Sequence, residues 1–342
     1  MKMPRYPDMV KVLQADEDFG NSLIATFPTD KHDALILGRN NGVGLDQDAK
    51  LLSEALSHGR ITTKQPKLRS LRALLSGKNR AEMAFHLERA APWWKAKAKT
   101  HILIPNQERF PHRLLKRLKM IDHVFCKSRH AAGIFSRYHP SVHFIGFTSP
   151  DRHLETITPD YSRFFHLAGK STLKNTEALL ALWERHPEWP VLTLVQHPDN
   201  APKSVPENVE LISRYLSDDE LRRLQNQCGI HLCPSLSEGW GHYIVEAMSC
   251  RAVTLITDAP PMNELVNAER GITVPFYRSE PRHLGENFHI DPQLLEKAIQ
   301  DLITSATEEK ARLGNAAREW FLNNDRTFPG RLHQALQRCR MV

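Results

Sequence analysis

Pro234-Ser235-Leu236-Ser237-Glu238-Gly239-Trp240-Gly241-His242-Tyr243-Ile244-Val245-Glu246-Ala247-Met248 carries two glutamates with seven residues between them, set across a loop that turns into a helix. Gly229-Ile230-His231-Leu232-Cys233 precedes it, an apolar run of strand length that stops at a proline. The glycines at 239 and 241 let the backbone turn sharply before helical periodicity begins at His242. Glu238 therefore falls in a strand-to-helix loop and Glu246 about two turns into the helix. Free backbone N–H groups and the positive end of the dipole gather at such a helix start, where a diphosphate can dock. Ionised carboxylates accept hydrogen bonds only, which suits them to the paired hydroxyls of a sugar or a ribose. Taken alone, the spacing is equally the pattern of a first-turn charge and a solvated helix residue; the full string changes the balance.

The string resembles the signature of the group 1 superfamily of retaining GT-B glycosyltransferases, matched here by Pro234, Ser235, Glu238, Gly239, Gly241, Glu246, Ala247 and Met248, with Trp240 at the aromatic position. Asp258-Ala259-Pro260-Pro261-Met262-Asn263-Glu264-Leu265-Val266 is similar to the loop and short helix that follow in that family. The resemblance implies an α/β fold of GT-B type: two doubly wound Rossmann-like domains with a cleft between them. Arg251 stands where the family has glycine and Val253 where it often has proline. A turn at 251 that needs a positive φ would strain the arginine.

The alternation of segments points the same way. Strands are expected at 34–37, 84–87, 101–104, 123–126 and 142–145, then at 164–167, 191–195, 209–212, 230–233, 252–256 and 272–274, with helices between, a βαβ pattern that builds parallel sheets. A chain of 342 residues is long for one core. The expected division is an N-terminal extension of unassigned role (1–32), an acceptor-binding domain (33–148), a nucleotide-sugar-binding domain (149–325) and a final helix (326–342) returning to the first domain.

Ligands of doubly wound sheets bind beyond the carboxyl ends of the strands. Four further groups of candidates fall there. The loop Asn40 to Asp46 carries Gly42 and Gly44, which let a phosphate or sugar approach the backbone; the resemblance puts it at the cleft. Phe165 to Asn175 is a strand leading into a loop with Lys170 and Lys174, four apart. Cations beside a departing diphosphate lower the barrier to its release, and the family has an Arg and a Lys in this loop for that purpose. His86, at the end of an expected strand, matches a family histidine that faces the transferred sugar or the acceptor, and imidazole changes charge near neutral pH. Asn106, Gln107 and Glu108, after the strand at 101–104, are candidates for the acceptor side.

The resemblance thus implies retaining transfer from a UDP- or GDP-linked sugar without a metal. His86, Lys170, Lys174 and Glu238 are then the catalytic candidates. Gly42, Gly44, Lys170, Lys174, Glu238, Gly239, Trp240, Gly241, His242 and Glu246 are the donor-binding candidates, with Glu246 on the ribose diol. No cofactor beyond the donor is expected.

Five cysteines without a C-x-x-C pair suggest neither a disulfide framework nor zinc, and a reducing cytoplasm is the expected compartment. No apolar run is long enough to span a bilayer. Residues 60 to 140 hold 19 Lys+Arg against four acids, a net of +15 in a chain whose total is +7. Within this zone, Lys67 to Leu75 and Pro111 to Ile121 alternate leucines and cations at helical spacing, with Trp93 and Trp94 between them. Such helices suit the anionic inner face of a membrane, a nucleic-acid backbone, or plain surface helices with buried leucines. The expected acceptor is accordingly a lipid-linked or lipopolysaccharide-type saccharide. The alternatives are DNA bearing a hydroxylated base, or a non-catalytic module binding carbohydrate or nucleic acid.

Overall fold

The structure, a computed structural model, describes residues 33–39, 44–75 and 80–340. The 1–32 extension and Gly42 lie outside the described residues. In the first half, β1 (Asp33–Leu37), α1 (Gly44–His58), β2 (Thr62–Lys64), α2 (Leu71–Leu75), β3 (Ala81–Leu87), β4 (Ala98–Ile104), β5 (His123–Cys126), α3 (Arg129–Phe135) and β6 (Val142–Phe144) follow one another. The six strands form one sheet in the order β2-β1-β3-β4-β5-β6, with every neighbouring pair parallel.

The second half runs β7 (Asp160–Gly169), α4 (Thr176–Arg185), β8 (Leu192–Gln196), β9 (Val209–Ile212), α5 (Asp218–Gln227), β10 (Cys228–Cys233), α6 (His242–Ser249), β11 (Val253–Thr257), α7 (Met262–Leu265) and β12 (Ile272–Val274). After these come β13 (Phe276–Arg282), β14 (Gly285–Ile290), α8 (Pro292–Thr304) and α9 (Thr307–Arg340). Its parallel sheet has the order β12-β11-β10-β7-β8-β9, and β13 and β14 form a separate antiparallel hairpin. Strands β8, β10 and β11 are buried along their whole length, as sheets covered on both faces require.

The described residues of the two halves belong to one compact unit. A single apolar cluster crosses between them, joining Ile36, Phe85 and Ile104 of the first sheet to Trp240, Ile244 and Met248 around α6 and to Phe321, Phe328 and Leu332 of α9. α9 continues unbroken through Pro329 instead of dividing into the two helical stretches at 308–323 and 329–338 that the sequence suggests. Its final turns lie on the first half, where the Arg331 guanidinium donates to the Ile145 carbonyl (2.9 Å) and Asn324 to that of Phe147 (2.8 Å).

Two expectations for the basic zone are corrected. The 112–120 segment is a 3-10 helix, not an α-helix. Arg113, Lys116, Arg117 and Lys119 would stack like charges three and four apart on an α-helix, which opposes that form. Its Leu114 and Leu118 are buried, so this segment faces the core. α2 is confined to five residues, with Ser70 accepting the Ala73 N–H at its start.

Candidate active site

The order of the second sheet reverses between β7 and β10, and the loops that leave the carboxyl ends of these two strands are the lysine loop and the glutamate loop. A doubly wound sheet opens a crevice at such a reversal. The loops are joined by a hydrogen bond from Leu236 N to Leu173 O (2.9 Å). Lys174 Nζ meets Glu238 Oε1 at 2.6 Å and stands 3.3 Å from the centroid of the Tyr243 ring. Ser235 Oγ donates to the same Glu238 oxygen (2.6 Å) and lies 2.5 Å from the Tyr243 hydroxyl. Both members of the ion pair keep 13% of their side-chain surface exposed, so the pair is reachable from the crevice.

Gly241, the residue before α6, has φ 100°, a conformation that glycine adopts at little cost. That backbone aims the first turn of α6 at the first half. His242 Nδ1 lies 2.8 Å from Ser149 Oγ and 3.1 Å from Gln47 Nε2, and its Nε2 is 2.9 Å from Asp48 Oδ1. One turn on, Glu246 accepts from Gln47 (3.0 Å) and Gln225 (3.2 Å). Gly44 opens α1, which carries Gln47 and Asp48, so the loop's helix does face Glu246 and His242.

Asn106 to Glu108 close the other side. A Cβ at Gly239 would come within 2.6 Å of the Asn106 side chain, and Gln107 Nε2 donates to the Glu238 carbonyl (2.8 Å). Asn106 Oδ1, Gln107 Oε1 and Glu108 Oε2 are buried without a hydrogen-bond partner, a costly arrangement that a ligand's donors would relieve. Burial, with the neighbouring Glu238 charge adding to it, pushes the Glu108 carboxyl up to about 7.

Several candidates lie elsewhere. Lys170 pairs with Asp199 (2.9 Å) at an exposed position, with each side chain at least 60% exposed, so the two lysines do not converge. Three intervening residues on a turning loop point their side chains apart. His86 is fully buried: its Nε2 lies 3.0 Å from His101 Nδ1, and its Nδ1 accepts the Ala91 N–H (3.1 Å). Burial and the neighbouring His101 hold His86 down at about 3, so it is a neutral core histidine and not a site group. Trp240 is buried against Phe147 and donates its indole N–H to Ser149 Oγ (3.2 Å), which makes it a packing residue between the halves.

Asp48 and Lys127, which the sequence reading passed over, form the buried counterpart of the crevice. Lys127 Nζ is 2.5 Å from Asp48 Oδ2, and His242 holds the other oxygen. Burial works to raise the Asp48 carboxyl, but Lys127 and His242 together hold it below the ordinary carboxylate range. A lysine directly after β5, at the carboxyl end of a parallel strand, was the signal available.

Residues 203–320 match the model of the family described as glycosyl transferases group 1. Similar solved structures extend the likeness over nearly the whole chain. HepE of Anabaena, solved with UDP and glucose, is 14% identical, covering 90% of this chain and 99% of its own at a TM-score of 0.67. Sucrose-phosphate synthase of Thermosynechococcus elongatus is 15% identical with the same coverage and TM-score. A glycosyltransferase of Rickettsia africae ESF-5 is 12% identical over 91% of this chain and 98% of its own, also at 0.67. The fold is GT-B. No curated protein matches the chain by sequence. Among the described residues no helix is long and apolar enough to cross a membrane.

Proposed function

We propose that the chain is a glycosyltransferase that moves a sugar from a nucleotide-sugar donor to an anionic acceptor, with retention at the anomeric carbon. The observation that carries the reading is the Lys174–Glu238 pair at the strand-order reversal, beside the start of α6 and opposite the unpartnered side-chain oxygens Asn106 Oδ1, Gln107 Oε1 and Glu108 Oε2. In this reading the donor's diphosphate takes Lys174 and the backbone N–H groups at the start of α6, which stabilise the charge that develops on the leaving oxygens. Glu238, released from Lys174, accepts from the sugar hydroxyls, and Glu246 exchanges Gln47 or Gln225 for the ribose diol. Lys174 alone supplies the side-chain cation assigned in part to Lys170. The UDP bound by HepE supports a uridine nucleotide as first choice, with GDP the second. A metal-independent reaction fits a site whose cation is an ammonium group.

The first half carries a basic, apolar surface. Leu71, Leu75 and Trp93 are 68%, 74% and 81% exposed, and the Trp94 indole donates to the Leu68 carbonyl (3.1 Å), which sets their two segments side by side. Lys67, Arg69, Arg72 and Lys95 are exposed around them. Exposed leucine and tryptophan gain on insertion into lipid and gain nothing from a phosphate backbone, which favours a lipid-linked saccharide at an anionic membrane face over DNA.

The test is transfer or hydrolysis of UDP- and GDP-sugars by the full chain, with Lys174→Ala, Glu238→Ala and Glu246→Ala alongside. Loss of one charge-stabilising group should lower kcat by about 100- to 1,000-fold for Lys174→Ala. No binding or turnover of any nucleotide sugar, or turnover indifferent to all three substitutions, would refute the reading. Flotation with anionic vesicles against retention on duplex DNA at matched salt separates the two acceptor classes.

A further inference from the structure

A second cluster of ligating groups lies away from the crevice. His123 opens β5, so it sits at the amino end of a strand whose carboxyl end faces the crevice, and His143 is the middle residue of the neighbouring β6. Cys339, in the last turn of α9, reaches them from the other half of the chain's order. One nitrogen from each histidine and Cys339 Sγ all lie within 4.8 Å of one another.

We propose that His123, His143 and Cys339 form a binding site for a borderline divalent metal ion of the zinc class. Two imidazoles and a thiolate are a donor set suited to such an ion, with a fourth position left open to water. Cys339 Sγ is 3.8 Å from His143 Nε2. With Zn–N near 2.05 Å and Zn–S near 2.3 Å, tetrahedral ligands of these types stand about 3.6 Å apart. The sulfur and this nitrogen are therefore already at ligand spacing.

The Ser141 hydroxyl lies between the two rings, 2.7 Å from His123 Nδ1 and 3.0 Å from His143 Nε2, and it must turn aside for an ion to reach these nitrogens. Ser141 sits on a turn held by His139, whose Nε2 meets the Ile121 carbonyl and whose Nδ1 meets that of Ser141, both at 2.9 Å. The Phe125 ring packs edge-on against His143, fixing its plane. Supports of this kind orient metal ligands in advance. Burial also keeps both histidines below their ordinary range and hence neutral at pH 7, the form that binds metal. Burial pushes the Cys339 thiol up to about 11, so an entering ion must displace the thiol proton. Bound metal would clip the end of α9 to β5 and β6.

The experiment is titration of the metal-stripped full chain with Zn(II) against a chromophoric chelator, for the native sequence and for Cys339→Ser, His123→Asn and His143→Asn. One equivalent is expected, with affinity lowered at least roughly 10- to 100-fold by each substitution, since even outer partners of a metal ligand cost that much. Melting of each variant without metal establishes that it is folded. Co(II) added to the unaltered chain provides a second readout that needs no variant: a thiolate-to-cobalt charge-transfer band together with intense tetrahedral visible bands. Absence of tight zinc binding, zinc binding indifferent to Cys339→Ser, loss through Cys339→Ser with both histidine variants unaffected, or cobalt spectra without the thiolate band would each overturn the proposal.

Discussion

Arg251 has φ 61°, in the left-handed region where a side chain's Cβ crowds the backbone. The sequence made this legible, because the resemblance supplies a glycine at that position. Arg251→Gly should relieve about 1–2 kcal/mol of strain and return about 0.5–1 kcal/mol through the freer unfolded chain. A net gain of about 0.5–1 kcal/mol in urea unfolding, at unchanged m-value, is expected; a loss would show that the arginine side chain supplies a compensating contact. Glu108 offers a second test. Its folded carboxyl titrates near 7 and its unfolded one near 4.5, so its contribution to stability is complete below pH 4.5 and is lost as pH rises through 7. Measured at pH 5 and again at pH 8, the stability of the native chain relative to Glu108→Gln should fall by on the order of 3 kcal/mol; parallel profiles would place the carboxyl at an ordinary value. No such foresight existed for His86, because its two ring partners, His101 and the Ala91 N–H, are brought to it by a sheet register and a turn that no local pattern encodes.

Elements were legible where they are buried on both sides and unreadable where they are not. Apart from β2, the strands of both parallel sheets announce themselves as apolar runs, and the observed β3, β4, β7 and β10 simply extend them. β2 is three polar residues, and β13 is an exposed strand containing Pro281, so neither gives a hydrophobic period to find. α9 shows how far one helix depends on context. A Cβ at Gly314 would fall 2.0 Å from the Arg251 carbonyl oxygen, whereas at Gly330 it would meet nothing within 4 Å. Gly330→Ala should therefore stabilise by about 0.5–1 kcal/mol through helix propensity. Gly314→Ala should destabilise by about 1–3 kcal/mol or more, since backbone must move. Thermal unfolding of the two variants beside the parent checks both signs, and equal shifts would mean that α9 does not pack closely on the turn at 251.

For the molecule as a whole, the fold was readable from the alternation of segments, while the partnership between its halves was not. Asp48, Lys127 and His242 come from three elements separated by up to 194 positions, and only the assembled fold makes them one network. Buried histidines give the assembly a collective acid response. Burial holds His86 at about 3 and His166 and His231 at about 4, against about 6.5 when unfolded. Each depressed imidazole contributes stability that is fully present above pH 6.5 and is lost as pH falls, at up to about 1.4 kcal/mol per pH unit. Glu108 runs in the opposite sense over part of the same range, but one group cannot offset three. Denaturant midpoints should therefore decline steadily from pH 6.5 to 4.5, and a flat profile across that interval would contradict the burial of these rings.

The embrace of Lys174 and Glu238 has a consequence for turnover. An ammonium group left alone in a crevice would cling to any diphosphate, spent or fresh, and a bare carboxylate beside it would repel the incoming donor. Under the proposed function, each partner would reclaim the other once the crevice empties, so the protein would compete for its own cation, and the same competition that tempers donor affinity would hasten the exit of the discarded nucleotide.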